Sequence, residues 1–257
     1  MNEAQLLDVA VDAARAAAAE LRARFGRRDG VRAKSTPTDL VSDADLAAER
    51  AIRAVLADRR PADAILGEEG GESGGTDGQI RWVVDPLDGT INFLYGIPVF
   101  AVSVACEDAS GTVAGVVLDP LAVECFTATR SGPALLNGSA LSGIERASDL
   151  ALAMVATGFG YDAGMRSRQA EVVSRLLPRA RDIRRFGAAA LDLAWCACGR
   201  YDAYYERGLK PWDLAAGSLI AGRAGLVVRD LPATDDLPDG VLVAPEELAD
   251  ELFALVH

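Results

Sequence analysis

The sequence predicts one layered α/β domain with two lobes, in which helices and mixed sheets alternate as layers. Two observations support this fold class. Helical and strand patterns alternate along most of the 257 residues, and the strands include both a consecutive antiparallel group and strands separated by helices. We expect a single domain over residues 1–257, with an N-terminal lobe of about 1–140 and a C-terminal lobe of about 141–257.

The N-terminal part of the chain predicts two helices and a short strand. Residues 3–25 carry apolar side chains at helical spacing, and Gly26 follows as a stop signal. Ser42 and Asp45 resemble a capping box that opens a second helix, which ends before Pro61. A strand at residues 64–66 follows, and the Gly-rich residues 70–79 predict a flexible loop.

The middle of the chain predicts a buried strand and then a meander. The apolar run before Asp85 predicts a strand that stops abruptly, followed by a short helical turn at residues 90–95. Three antiparallel strands are expected at residues 99–106, 112–118 and 123–129, and Asn137-Gly138 predicts a tight turn.

The C-terminal part alternates between strands and helices. We expect strands at residues 151–157, 183–186 and 201–206, and near Leu226 and Val241. Helices are expected near residues 165–177, after Gly187, from Asp213 to about residue 224, and from Pro245 onward.

Composition excludes several classes of function. A net charge of −12 argues against a nucleic-acid or anionic membrane surface, and no run of about 18 apolar residues predicts a membrane span. The four cysteines form no C-x-x-C pair, so we expect free thiols in a reducing cytoplasm. His257 is the one histidine, which excludes a Ser-His-Asp triad and an ordinary histidine zinc site.

Acidic residues follow predicted strands or precede a predicted helix at three places. Asp85 and Asp88 lie three residues apart before Gly89, Glu68 is followed by a second glutamate, and Asp213 stands near a helix start. Two carboxylates at a sheet edge repel each other, so that either one binds a proton or a cation lies between them. Taken singly, the Asp85 string also suits a surface turn, and Asp213 suits a helix cap.

The chain resembles the inositol monophosphatase family of Mg²⁺-dependent, lithium-sensitive phosphatases. The resemblance rests on WVVDPLDGTINF at residues 82–93, GEE at 67–69 and KPWDLAA at 210–216, with further matches at 34–45 and 204–208. It implies a layered αβαβα sandwich of the inositol monophosphatase and fructose-1,6-bisphosphatase type. It also implies a homodimer that acts on a small-molecule phosphate ester.

The resemblance assigns a role to individual residues. It implies two or three Mg²⁺ ions, with Mn²⁺ as an alternative, held by Glu68, Asp85, Asp88, Asp213 and the carbonyl of Leu87. An oxygen donor set without histidine or thiolate agrees with that choice of metal. The resemblance further implies that Thr90 and Asp45 orient and deprotonate the metal-bound water that attacks phosphorus, with Lys34 assisting on a mobile loop. The implied substrate contacts are Gly89 and Thr90 for phosphate, and Gly187, Ala189, Glu206 and Asp213 for the rest of the substrate.

The substrate and the class of function stay open at this point. Glu206 suits the hydroxyls of inositol 1-phosphate, which we expect as substrate, but equally suits the ammonium group of histidinol phosphate. Tyr95 stands where family members often carry histidine, which bears on fine substrate discrimination. A non-catalytic metal-binding regulatory protein and a structural calcium-binding module are the alternatives from other classes.

Overall fold

The computed structural model describes residues 2–34, 40–75 and 80–257. The α-helices are α1 (Glu3–Arg24), α2 (Asp43–Arg59), α3 (Thr90–Tyr95), α4 (Ala163–Leu176), α5 (Ala189–Ala197), α6 (Pro211–Arg223) and α7 (Glu246–Val256). The strands are β1 (Arg32–Ala33), β2 (Leu40–Val41), β3 (Ala64–Gly67), β4 (Gly71–Gly74), β5 (Arg81–Asp88), β6 (Ala101–Asp108), β7 (Gly111–Asp119), β8 (Glu124–Thr129), β9 (Leu135–Leu136), β10 (Ser139–Ala140), β11 (Met154–Thr157), β12 (Asp182–Arg184), β13 (Ala203–Arg207), β14 (Val227–Leu231) and β15 (Gly240–Ala244).

The elements form five layers. Helices α1 and α2 pack on one face of an eight-stranded sheet, and α5 and α6 lie between this sheet and a five-stranded one. Helices α4 and α7 cover the outer face of the five-stranded sheet. Three apolar clusters fill the spaces between the layers, because each helix buries one stripe and each sheet buries its faces. The predicted αβαβα sandwich is confirmed.

The order of the strands places the carboxyl ends of β3 and β5 side by side at one edge of the larger sheet. The eight-stranded sheet runs β10-β9-β8-β7-β6-β5-β3-β4, and β3 pairs with β5 in parallel. Strands β6, β7 and β8 form the predicted antiparallel meander. The five-stranded sheet runs β12-β11-β13-β15-β14, with β11 parallel to both of its neighbours. The division into lobes at residue 140 stays a prediction.

Two local sequence signals, a capping box and a tight turn, have the predicted structure. The Ser42 side chain accepts a hydrogen bond from the amide of Ala44 at 3.2 Å, and Asp45 accepts one from the amide of Ser42 at 2.9 Å. This is the predicted capping box of α2. Asn137 and Gly138 both have positive φ angles, 49° and 82°, and form the predicted tight turn between β9 and β10.

Three local predictions are wrong. Residues 71–74 form strand β4 within the predicted loop, because they pair with β3 and because Arg53 donates to the carbonyl of Gly71 at 2.9 Å. Residues 150–152 form a 3₁₀ turn, which Asp149 caps, in place of the start of a strand. Strand β5 continues through Pro86 to Asp88, since an irregularity in its pairing with β6 removes the need for a ladder donor at the proline.

Two sequence predictions fall partly outside the described residues, namely the segment 34–45 at 35–39 and the Gly-rich loop at 76–79. Within the described ranges, no helix has the length and apolar character that crossing a bilayer requires. The four cysteines are free, as expected.

Candidate functional site

The acidic residues of the three motifs meet at the carboxyl ends of β3 and β5. Gly67 lies opposite Val84 in this parallel pair, so Glu68 and Asp85 emerge at the same edge. Asp88 ends β5, and Asp213 is the third residue of α6, whose first residue is Pro211. The alternative use of Asp213 as a helix cap is met in part, because its carboxylate accepts a hydrogen bond from the amide of Lys210, the N-cap residue of α6, at 2.7 Å.

Burial and mutual repulsion disturb the titration of these carboxylates. Burial raises the pKa of Asp85 well above its ordinary value, and the charges of Glu68, Asp88 and Asp213 raise it further. Burial likewise raises the pKa of Asp88, with Asp213 as the next cause, and raises the pKa of Asp213 to about 7. Four acidic groups therefore oppose one another in a poorly solvated place, which a divalent cation would relieve.

The donor set suits a hard divalent cation, but the side chains do not yet surround one. Across the described residues, no three His, Cys, Asp or Glu side chains converge into a preformed metal cage. One reason is Lys34, whose Nζ lies 2.7 Å from Oε1 of Glu68 and 2.5 Å from Oε1 of Glu69. Glu68 would exchange this ammonium group for a metal ion.

The triplet of Lys34, Glu68 and Glu69 is half-buried. Burial alone would lower the pKa of Lys34, but its ion pairs with both glutamates outweigh this effect and raise it. Burial raises the pKa of Glu69 to about 7, against the lowering influence of Lys34. Lys34 therefore lies at the carboxylate cluster, and its catalytic role stays a prediction.

Asp45 connects helix capping with the candidate catalytic hydroxyl. Oδ2 of Asp45 accepts hydrogen bonds from the amide and hydroxyl of Ser42, while Oδ1 accepts one from the hydroxyl of Thr90 at 2.9 Å. The Thr90 hydroxyl also lies 3.1 Å from the carbonyl of Leu87. Burial raises the pKa of Asp45. Capping and the contact with Thr90 are thus compatible, because they use different oxygens of one carboxylate.

Glu49 is a positioning residue that the sequence analysis missed. Its carboxylate is buried on α2 and accepts hydrogen bonds from the amides of Glu69 and Gly70 at 2.8 and 2.9 Å. A Cβ atom at Gly67 or Gly70 would lie 2.6 or 2.5 Å from Oε1 of Glu49. The two glycines of the GEEG motif therefore leave room for the carboxylate that orients Glu68 and Glu69. The available signal was spacing, because Glu49 lies four residues after Asp45 and three before Ile52, on the face of α2 that is buried.

Asn92 was also missed, and it links α3 to the loop that precedes α5. Its Nδ2 donates to the carbonyl of Val99 at 2.8 Å and to that of Phe186 at 2.7 Å. Next to it, Gly89 precedes α3 with a φ of 89°, and a Cβ atom there would lie 3.0 Å from the carbonyl of Val99. Asp88 accepts a hydrogen bond from the amide of Leu191 near the start of α5 at 3.1 Å.

A second set of buried polar groups lies beyond α5. Burial raises the pKa of Glu206 to about 8, and its Oε2 accepts a hydrogen bond from the hydroxyl of Tyr204 at 2.7 Å. A Cβ atom at Gly158 would lie 1.9 Å from that carboxylate. Arg185 lies close enough to stabilise ionised Glu206. Its Nη1 would be 2.4 Å from a Cβ atom at Gly187.

The predicted site residues therefore come together in two adjoining groups. Glu68, Asp85, Asp88 and Asp213 act electrostatically on one another, and Glu206 acts on Asp88 from the second group. Gly187 and Ala189 flank the start of α5, beside Arg185 and the helix end that contacts Asp88. The roles assigned to these residues stay predictions.

Comparison with known proteins gives the class of the chain. The Inositol monophosphatase family model matches residues 2–257. Inositol-1-monophosphatase SuhB of Mycobacterium tuberculosis (strain H37Rv) is 43% identical over 272 residues, covering 99% of this chain and 94% of that protein. Nus factor SuhB of Escherichia coli K12 is 43% identical over 227 residues, covering 88% and 85%.

Solved structures agree with the sequence relatives. The extragenic suppressor protein suhB of Bartonella henselae has a TM-score of 0.89 at 36% identity, covering 98% of both chains. The IMPase of Thermotoga maritima has a TM-score of 0.85 at 30% identity, covering 97% of this chain and 96% of that one. Fold and relatives together define a phosphoric monoester hydrolase. The chain belongs to the inositol monophosphatase family.

Proposed function

We propose that the protein is a Mg²⁺-dependent phosphomonoesterase that hydrolyses inositol 1-phosphate to inositol and phosphate. The observation that carries this proposal is the set of four mutually repelling carboxylates, two of them (Asp85 and Asp88) buried, next to the hydrogen-bonded pair of Thr90 and Asp45. Such a set is unstable at neutral pH without protons or cations, and its oxygen donors suit Mg²⁺ or Mn²⁺.

The metal ligands in this proposal are Glu68, Asp85, Asp88, Asp213 and the carbonyl of Leu87. When bound, two or three Mg²⁺ ions would offset the carboxylate charge, polarise the phosphate group and lower the pKa of the attacking water. The backbone amides of Gly89 and Thr90 would hold phosphate oxygens, while Lys34 exchanges its contact with Glu68 for one near the phosphate.

Thr90 and Asp45 would move the proton of the attacking water. The Thr90 hydroxyl donates to Oδ1 of Asp45, which leaves its oxygen lone pairs free to accept a hydrogen bond from water. As the water attacks phosphorus, its proton passes to Oγ1 of Thr90 while the proton of Thr90 passes to Asp45. Burial raises the pKa of Asp45 and so makes it a stronger proton acceptor than an exposed carboxylate.

The surroundings of Glu206 favour a polyol over an amine. The Glu206 carboxyl group can accept hydrogen bonds from the hydroxyl groups of a polyol. The positive charge of Arg185 acts on the same place and would oppose an ammonium group there. This supports inositol 1-phosphate over histidinol phosphate.

Phosphate release tests the proposal directly. The purified chain would be assayed with inositol 1-phosphate, histidinol phosphate, fructose 1,6-bisphosphate and a 3′-phosphonucleotide, with Mg²⁺ and after chelation. We expect the highest kcat/KM for inositol 1-phosphate and no release after chelation. Preference for histidinol phosphate would keep the chemistry and refute the substrate. Release that persists under chelation would refute the metal assignment.

A regulatory role without turnover is the second candidate. It is favoured by one observation, namely that a 43% identical relative bears the name Nus factor. Asp88→Asn separates the two candidates, because it removes one charge of the cluster while it keeps the shape of the side chain. We expect a folded protein that has lost turnover and cellular function together. A cellular role that survives without turnover would favour the regulatory candidate.

A further inference from the structure

A small internal cavity lies behind the strand that carries Glu206. It has a volume of about 10 Å³ and lies between β13, α4 and α7, within the apolar cluster on the outer face of the five-stranded sheet. Side chains alternate along β13, so Tyr204 and Glu206 point to the site while Tyr205 and Arg207 point to this cavity. This volume is at the lower limit for one water molecule, so a larger monatomic ion would need the lining side chains to shift slightly outward.

Three of the side chains that line this cavity carry a buried polar atom that lacks a hydrogen bond of normal geometry. Within the part of the chain that the structure describes, these atoms are Nε2 of Gln169, the hydroxyl of Tyr205 and Nε of Arg207. The side chain of Thr157, which also lines the cavity, is the polar neighbour of the Tyr205 hydroxyl. The three residues are 5%, 5% and 3% exposed. Buried polar atoms are rarely left unpaired, because each loses its hydrogen bonds to water without replacement. Three at one cavity therefore indicate an occupant.

Arg207 gives the cavity its electrostatic character. Its other nitrogens donate to the carbonyls of Pro232, Pro238 and Val256 at 2.9, 2.7 and 3.2 Å, and none of these described hydrogen bonds goes to a carboxylate. Val256 ends α7, so the helix supplies part of a negative charge. The acidic residue that acts on Arg207 is Asp239, whose side chain is exposed. The direct hydrogen bonds of this buried positive charge thus go to carbonyl groups, and the carboxylate that acts on it lies at the surface.

The hydrogen-bonding capacity of these three groups indicates which kind of species the cavity would bind. Nε2 of Gln169 and Nε of Arg207 are donors only, and the hydroxyl of Tyr205 can donate as well. Oε1 of Gln169 already accepts a hydrogen bond from the amide of Gly160 at 3.0 Å, which fixes the amide nitrogen as the free end. Three donors suit a species that only accepts hydrogen bonds, and the buried guanidinium suits one with negative charge.

We propose that this cavity is a structural site for a monovalent anion of about the size of chloride, bound by Gln169, Tyr205 and Arg207. The bound anion would connect α4, β13 and the loop at residues 157–160. Gly158 of that loop lines the cavity and also lies against the carboxylate of Glu206. The site would therefore support one wall of the candidate substrate pocket without contacting the substrate.

Anion-dependent stability tests this proposal, with chloride as the probe. Thermal unfolding of the full chain would be followed in sodium chloride and in sodium methanesulfonate at equal ionic strength, because methanesulfonate is too large for the cavity. Each tenfold rise in chloride above its Kd should raise Tm by roughly 3–6 °C, as expected for a ligand that binds only the folded chain. Crystals soaked in bromide should show an anomalous peak within hydrogen-bonding distance of Nε of Arg207.

Two variants remove the site in different ways. Gln169→Glu places a fixed carboxylate beside Arg207, keeps the acceptor for Gly160, and should abolish the dependence on chloride. Tyr205→Phe removes one donor and should weaken chloride binding roughly fivefold; it serves as the test if the first variant does not fold. Gln5→Glu makes the same chemical change on the exposed face of α1 and should leave the chloride effect unchanged.

Equal Tm values in the two salts, or a wild-type crystal without a bromide peak, would show that the cavity holds water and overturn the proposal.

Discussion

Replacement of Glu206 by glutamine should make the protein more stable at neutral pH, and by an amount that depends on pH. The carboxylate is buried beside Tyr204, and its pKa is raised from 4.5 to about 8, first of all by burial. Glutamine keeps the size of the side chain and an oxygen that accepts the hydrogen bond from Tyr204. It removes the charge that the folded state disfavours.

The pKa of Glu206 in the folded and unfolded states determines whether its contribution to stability rises or falls with pH. Because the folded pKa lies above the unfolded one, the folded state binds the proton more tightly, and this stability is fully present below pH 4.5. It is lost as pH rises toward about 8, at roughly 1.4 kcal/mol per pH unit. Over this window the wild type should lose up to roughly 5 kcal/mol that Glu206→Gln does not lose.

Urea denaturation of both proteins between pH 5 and pH 9 measures this difference, at fixed ionic strength and with a chelator present. The difference in the free energy of unfolding cancels the other titrating groups that the two proteins share. We expect it to grow up to about pH 8 and then to stay constant. Glu145→Gln, at an exposed position, should give a difference that does not vary with pH. A constant difference for Glu206→Gln as well would refute the reasoning.

Three further predictions concern single contacts. Thr90→Ala should lower kcat roughly 10²–10⁴-fold, with most activity kept in Thr90→Ser, because the hydroxyl bonded to Asp45 is lost only in the first. An unchanged urea-denaturation midpoint would distinguish this loss from a folding defect, and an unchanged kcat would refute the role of the hydroxyl. Asn92→Ala should lower the free energy of unfolding by about 1–3 kcal/mol, measured by urea denaturation, because two carbonyls lose their donor. An unchanged midpoint would mean that water replaces the amide group. Gly158→Ala should raise KM for inositol 1-phosphate more than it lowers kcat, because its Cβ atom would displace the Glu206 carboxylate; an unchanged KM would place Glu206 outside the pocket.

Local patterns in the sequence predicted most of the elements. The apolar spacing of residues 3–25 corresponds to α1, and Asn137-Gly138 forms its expected turn. Where prediction failed, the deciding contacts were distant in sequence or geometrically special. Strand β4 forms in a Gly-rich segment because β3 and Arg53 supply its partners. Pro86 lies within β5 because the pairing with β6 is irregular there.

In the candidate site, too, local sequence motifs predicted some side-chain positions, and contacts between distant residues decided others. The acidic motifs and their order in the chain predicted the carboxylate cluster, because strand ends and helix starts are local features. Glu49 gave no such signal, since its partners are the amides of a turn about twenty residues away. The sequence predicts that Asp45 caps α2 and acts with Thr90, and only the structure shows that each contact uses its own oxygen.

The sequence by itself determined the layered fold, the family and the acidic groups, because periodicity and motifs depend on neighbours along the chain. It also excluded histidine chemistry, since His257 is the one histidine. Only the tertiary structure decided which charges meet. Lys34 pairs with glutamates 34 and 35 residues away, and Arg207 is buried among carbonyls 25 to 49 residues away. Such contacts form when packing removes water from charged groups that lie far apart in the sequence. A charge without water is destabilised unless it has a partner, and its interaction with that partner is stronger than in water.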